Sequence, residues 1–393
     1  MQVNQKILTA KTYAVSDFSE LAQGQPDLVL VFGSPQQMQL AAPALQLALK
    51  DAVLAGCTTA GEISQKGVSD ESLVLTSVRF DTSRVKRVAT VLRGMADSLD
   101  AGRRLASQLQ SQVLVGVLVL TQGVEINGSA LVQGMTDVLG SSIPITGGMA
   151  GDGTAFTRTW VIDNEGLSAE RVLAIGFYGA DLQVSHGSYG GWSPFGPARK
   201  VTHAEGNVLY ALDNEPALAV YKRYLGDYAS GLPVSGLLFP FAMLGKHHNE
   251  TGLIRTVLSV DEQIGSVTLA GDIDPDGYVR LMHANTDALV EGASVAAVAA
   301  RGVEASVVDG TGSTGSGQRL ALLVSCVGRK LVMGDRVEEE VEAVAEVFGK
   351  NALIGGFYSF GELCPMSGAS ECKLHNQTMT ISYFSERSPA AGV

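Results

Sequence analysis

Residues 143–153, I-P-I-T-G-G-M-A-G-D-G, are a short apolar run that passes directly into a glycine-rich turn carrying one carboxylate. Two other stretches repeat the device: A-V-L-A-G-C-T-T-A-G-E-I (Ala52–Ile63) and A-L-I-G-G-F-Y-S-F-G-E-L (Ala352–Leu363). Each follows an amphipathic helical stretch that is itself preceded by a β-rich run, and each precedes further strands. Glycine lets one backbone approach another, or a guest, more closely than any side chain allows. One such turn reads as tight sheet packing. Three in equivalent positions read as a repeated unit whose turns surround a ligand. The expected fold is α/β: mixed sheets layered with helices, built from repeated β-α-β units with Gly-rich turns, in two domains.

Working outward, Asp27–Phe32 (D-L-V-L-V-F) is continuous enough in apolar residues to be a buried strand. Gln36–Lys50 then spaces Met38, Ala41, Ala42, Leu45 and Leu49 as one face of a helix. A strand at Ser72–Phe80 completes the first unit. The second combines strands Arg87–Leu92 and Val113–Leu120 with helices Ser98–Leu109 and Ser129–Leu139, the latter leading into the central turn. Strands at 159–163, 172–179 and 183–189 follow, and Val201-Thr202 leads towards a helix around Pro216–Leu225. The third copy comprises strand Leu320–Cys326, helix Val337–Phe348, the glycine turn and strand Thr378–Phe384. This organisation predicts a leader over 1–25 with a short helix at Val15–Gly24, domains over 26–226 and 227–385, and a tail over 386–393. Within the second domain, Pro240 marks an edge strand or bulge, residues 253–260 and 264–271 pair as strands, and 309–317 (D-G-T-G-S-T-G-S-G) forms a flexible loop.

Composition narrows the function. The 393 residues are 46% apolar and 17% charged, the signature of a soluble, ordered protein. A formal charge of −12 argues against a nucleic-acid backbone or an anionic membrane as main partner. The most apolar run, Val113–Leu120, is too short to cross a bilayer. The first residues lack the apolar core of a secretory signal. Cys57, Cys326, Cys364 and Cys372 form neither C-x-x-C nor a zinc spacing, so a reducing cytoplasm is expected.

Several motifs fall short of their chemistry. G-T-G-S-T-G (310–315) is followed by a strand, not by the helix that a dinucleotide fingerprint needs, and reads as a linker. D-I-D-P-D-G (272–277) begins like a calcium loop, but His283 stands where the bidentate Glu belongs, so a hairpin turn is expected. No G-x-S-x-G, H-E-x-x-H or Walker lysine is present. Glu62, Asp152 and Glu362 recur at the ends of the three turns. Without a paired base or nucleophile they read as acceptors for turn N–H groups, and no enzymatic activity is expected. Two histidines qualify as metal or haem ligands. His283 shares a strand face with Val279 and Leu281 at a strand-to-helix junction, and His375 is in phase with Met379, Ile381 and Tyr383. A hydrogen-bonded structural imidazole is the commoner state for either.

Taken together, D-L-V-L-V-F-G, G-C-T-T-A-G-E-I, I-P-I-T-G-G-M-A-G-D, Y-K-R-Y-L-G, G-G-F-Y-S-F-G-E-L-C-P and L-H-N-Q-T-M-T-I resemble, in this order, the FIST sensory-domain proteins of bacterial signal transduction. In length, lack of fused domains and the segment R-L-M-H-A-N-T-D-A-L-V-E-G-A, the chain looks like the stand-alone haem-binding nitric-oxide sensors known as NosP. That resemblance implies a cytoplasmic sensor holding haem b through one imidazole, His283 first and His375 second, and reporting to a separate histidine kinase or cyclic-di-GMP enzyme. It leaves homo-oligomerisation open. An enzyme of unknown reaction, with only the acidic residues ending each turn behind it, ranks last; the alternative ahead of it is a sensor of an amino acid or similar metabolite. Its carboxylate would rest on the turns around Gly147-Gly148 and Gly355-Gly356, with Asp152 and Glu362 beside them.

Overall fold

The computed structural model describes residues 1–302, 318–366 and 371–387. The 309–317 loop and the tail beyond Arg387 lie outside the described residues.

Three units follow one plan. Each contributes four strands: Gln2–Leu8, Leu28–Gly33, Val53–Thr58 and Leu73–Arg79 in the first; Arg84–Val91, Leu114–Thr121, Ile145–Met149 and Arg171–Tyr178 in the second; Leu182–Tyr189, Arg319–Cys326, Ala352–Ser359 and Met379–Glu386 in the third. Across each sheet they lie in the order first, fourth, second, third. The second and third strands run parallel. Their crossover carries a helix, Pro35–Ala48, Gly128–Leu139 or Glu338–Phe348. Parallel pairing needs such a crossover, and it buries both faces of the strands, which is why they read as unbroken apolar runs.

One face of every sheet meets the other two in a shared core, where Phe32, Leu118, Phe177, Leu322 and Phe357 pack together. The rings of Phe32 and Phe357 stack 4.6 Å apart. The opposite faces lie under each unit's own helices. Gly56, Gly147 and Gly356 hold the same place in the three units. A Cβ on them would lie 1.9, 1.9 and 1.8 Å from the carbonyl oxygens of Val31, Val119 and Leu323 on the neighbouring parallel strand. The repeated glycines therefore serve close strand packing.

After its glycine turn each unit hands a hairpin to another. Glu62–Ser64 and Gly67–Ser69 extend the third sheet, pairing Ile63 with Gly356. Val161–Asp163 and Gly166–Ser168 extend the first, pairing Val161 with Cys57. Gly361–Pro365 and Cys372–His375 extend the second, pairing Glu362 with Gly148. The exchange is cyclic, and every sheet reaches six strands through it.

Two expectations change. Residues 2–8 are an edge strand on Leu73–Arg79, not a leader. Their polar alternation, Q-V-N-Q-K-I-L, suits an edge with one solvated face, and the Met1 ammonium is anchored 2.7 Å from Asp81. The stretch after Val201 is not a plain approach to a helix but a hairpin, Arg199–Glu205 with Val208–Leu212. It belongs to a nine-stranded antiparallel sheet that runs from Ser193 to His283, with helix Ala217–Leu225 packed on it. This sheet is inserted within the third unit, whose first strand, Leu182–Tyr189, pairs with Met379–Glu386. Pro240 stands just before strand Phe241–Leu244, its carbonyl accepting from the Met282 N–H at 2.9 Å. Among the described residues no helix is long and apolar enough to cross a membrane.

Candidate functional site

A cavity of about 470 Å³ opens where the second and third units meet the inserted sheet. The loops that follow the parallel strands Leu114–Thr121 and Arg319–Cys326 form one side, through Gly123–Val124, Ile126–Gly128 and Cys326–Gly328. Carboxyl ends of parallel strands are where open α/β sheets usually receive ligands. Thr256–Leu258 and Leu269–Asp272 of the insert form the other side, with Asn207 and Leu237. Most of the wall is aliphatic or aromatic, with few polar groups, as in small-molecule sites generally.

Those polar groups are specific. Thr256 and Asn376, 5% and 1% exposed, both border the cavity. Thr256 Oγ1 and Asn376 Oδ1 have no hydrogen-bond partner. A sealed, unpartnered polar atom costs about 1–3 kcal/mol, which a native protein retains where the group has another use. Asn127 caps helix Gly128–Leu139 by accepting the Ala130 N–H at 3.0 Å. Its Nδ2 donates to Asp272 Oδ1 at 3.4 Å. Behind Asp272 lies Arg255, 3% exposed, with Nη1 donating to the carbonyls of Ile254 and Leu374 at 3.3 and 2.9 Å. Burial drags its pKa down to about 10, and the nearby Asp272 pulls the other way.

Phe156 borders the cavity and stacks on Phe360 with centroids 4.3 Å apart and planes at 16°. Asp152 holds that loop in place, accepting the N–H groups of Phe156, Thr157 and Arg158 at 2.8, 2.8 and 2.9 Å. Its work is to seat a positive-φ Phe156.

The residues singled out from sequence fall around this cavity, not on its wall. Gly147, Gly148, Gly355 and Gly356 lie at the sheet seams, where a Cβ would meet Val119 O, Val324 Cγ1, Gln5 Nε2 and Leu323 O. Met149 and Phe360, close neighbours along the chain, line the space instead. Glu362 is fully buried and accepts from Ser359 Oγ at 2.7 Å and Thr378 Oγ1 at 2.9 Å. Burial raises its pKa to about 8 against those bonds. Glu62 repeats the arrangement with Thr59 and Ser72 and is raised to about 7. Asp152 is not their counterpart. It sits in an extra loop of the second unit, and the strand position matching Glu62 is Val161.

His375 is buried, its Nε2 2.9 Å from the Cys364 carbonyl, and burial lowers its pKa to about 4. His283 is exposed at the end of the interior strand Tyr278–His283 of the insert, its ring 5.8 Å from that of Phe195. None of the six histidines borders the cavity, so its residues do not fit a histidine-held haem. Among the described residues no cluster of three or more His, Cys, Asp or Glu is placed to bind a metal. The four thiols are buried and unpaired.

Sequence reasoning passed over Thr256, Asn376 and Asn127. A signal existed for two of them. Asn376 lies in the polar triplet H-N-Q that interrupts an apolar stretch, and Asn127 ends the loop T-Q-G-V-E-I-N-G ahead of a helix. Thr256 has none.

Residues 27–215 match the FIST N domain and residues 217–365 the FIST C domain. The chain belongs to the FIST family. FIST domains are associated with the sensing of small ligands in signal transduction. The junction between the two FIST matches falls inside the inserted sheet, between strand Glu215–Pro216 and helix Ala217–Leu225. The chain is also similar to the uncharacterized protein MJ1623 of Methanocaldococcus jannaschii, 27% identical over 189 residues. That match covers 44% of this chain and spans about a third (35%) of the relative's length. Among solved structures, a cyanuric acid hydrolase from A. caulinodans is similar at a TM-score of 0.37 and 9% identity, covering 98% of this chain and 99% of its own.

Proposed function

We propose that this FIST protein is a small-ligand sensor, not an enzyme, and that its ligand occupies the cavity between the core strand ends and the inserted sheet. One observation carries the reading: Thr256 and Asn376, each with an oxygen that has no hydrogen-bond partner, border an otherwise largely apolar space. Thr256 belongs to the insert and Asn376 directly follows the hairpin extending the second sheet, so a ligand contacting both residues couples the two bodies. Occupancy would then bias the position of the insert, a differential contact of the kind a switch requires. The proposed output is a separate histidine kinase or cyclic-di-GMP enzyme, supported by the family's association with signalling.

A haem-based reading receives no support from the lining residues. A Soret band in protein purified with haem supplied, lost in His375→Ala or His283→Ala, would reinstate it. The cavity reading is tested by thermal-shift screening of a metabolite library against the protein and an Ala270→Phe variant that fills the space. A compound that binds the native state raises the melting temperature by mass action, and the shift should vanish in the filled variant. No stabilising compound, or shifts that persist in Ala270→Phe, would overturn it.

A further inference from the structure

From the chemistry of the cavity wall we infer the class of ligand: a flat, mostly apolar molecule bearing a cationic or strongly donating N–H group, and no anionic group. The inference rests on the cavity being the ligand site. Its first support is charge. Asp272 is the only charged residue among the described residues that line the space. The cation behind it, Arg255, donates to three backbone carbonyls, those of Ile254, Asp272 and Leu374, and is not part of the wall.

The second support is the count of donors and acceptors. Two oxygens of wall residues lack a partner: Thr256 Oγ1, a hydroxyl that can accept as well as donate, and Asn376 Oδ1, an acceptor only. The Nδ2 of Asn127 is already given to Asp272. Both oxygens can accept, so a guest that brings donors satisfies them.

The third support is the fate of the one feature that would attract an anion. The positive end of helix Gly128–Leu139 faces the cavity at Asn127-Gly128. Asp272 is bonded to its capping residue and supplies the negative charge that such an end favours. An incoming carboxylate would therefore meet a carboxylate. The stacked Phe156 and Phe360 provide a wall suited to an aromatic ring, and an aromatic face also tolerates a cation.

Three matched indoles test this by isothermal calorimetry on the full chain: tryptammonium, the neutral indole-3-ethanol and the anionic indole-3-acetate. Tryptammonium should bind about tenfold tighter than indole-3-ethanol, with indole-3-acetate weakest, because like-charge juxtaposition is strongly disfavoured. In Asp272→Asn the gap between cation and alcohol should close. Indole-3-acetate binding as tightly as tryptammonium overturns the inference, as does an unchanged gap in Asp272→Asn. Equal binding of all three overturns it as well, while leaving the cavity as the ligand site. Failure of all three to bind overturns it too, and the Ala270→Phe comparison separately decides whether the cavity is the site. The comparison of the three probes on unmutated protein stands even if Asp272→Asn does not fold.

Discussion

Glu62 and Glu362 occupy the same position in two different units. Each is fully buried, and each bonds to a hydroxyl three residues earlier, Thr59 or Ser359. Each also bonds to the hydroxyl and N–H of a residue next to the unit's last strand, Ser72 or Thr378. Burial raises the two pKa values from 4.5 to about 7 and about 8. A carboxyl raised above its unfolded value keeps a proton that the unfolded chain has released. Its contribution is full below about pH 4.5 and is lost as pH rises through the folded pKa. Urea titrations should therefore show stability falling between pH 4.5 and 8, by on the order of 3 kcal/mol for each group. The double variant Glu62→Gln/Glu362→Gln should flatten that fall. A fall of the same size in the variant would show that other groups cause it.

His375 acts with the opposite sign. Burial lowers its pKa from 6.5 to about 4, so the folded protein holds it neutral while the unfolded chain takes up a proton. Stability from this group is complete above about pH 6.5 and is lost as pH falls towards 4. The difference in unfolding free energy between the parent and His375→Gln should shrink over that interval. A difference that stays constant between pH 7 and 4 would place the histidine's effect in packing alone.

The three seam glycines should be among the least replaceable positions. Gly56→Ala, Gly147→Ala and Gly356→Ala each drive a methyl into a backbone carbonyl under 2 Å away. Because that oxygen is fixed in a parallel ladder, the cost should exceed about 4 kcal/mol or prevent folding. Gly140→Ala is the control. Its φ is positive, at 76°, as it is at Gly147 and Gly356, but nothing lies within 4 Å, so only the backbone penalty of that glycine-favoured conformation, about 1–3 kcal/mol, applies. Chemical denaturation separates the two classes, and similar costs at Gly140 and Gly56 would contradict the steric account.

Thr256 and Asn376 should trade stability for binding. Thr256→Val and Asn376→Leu each remove a sealed oxygen that has no partner. The ligand-free protein should gain about 1 kcal/mol from either change, while affinity for any stabilising compound falls. Loss of stability in both variants would mean that the oxygens are satisfied within the protein.

Much of the local plan was legible in the residues. Runs such as L-V-L-V-F and V-L-V-L mark strands covered on both sides, and Met38, Leu45 and Leu49 mark the helix between two of them. The triple recurrence of strand, helix and glycine turn revealed three units. Its meaning did not follow, because a glycine pressed on Val31 O and one bordering a ligand look the same in a string of letters. The equation of Asp152 with Glu62 and Glu362 failed for a similar reason: the second unit carries extra residues at its turn, and counting from the glycines cannot see where the strand resumes. Periodicity also carries no information about which sheet a hairpin joins, so the cyclic exchange stayed hidden. So did the cavity, whose wall is gathered from segments as distant as Asn127, Thr256 and Asn376.

The exchange bears on how the chain is made. The strand Met379–Glu386 lies in the interior of its sheet, between Leu182–Tyr189 and Arg319–Cys326, and the second sheet acquires its edge only from Gly361–Pro365 and Cys372–His375. A ribosome must deliver nearly all of the described residues before two of the three sheets can close, and the earlier strands stay exposed in the meantime. Because contacts so distant along the chain form slowly, the nascent polypeptide spends its synthesis with sticky edges unpaired, a natural client for chaperones.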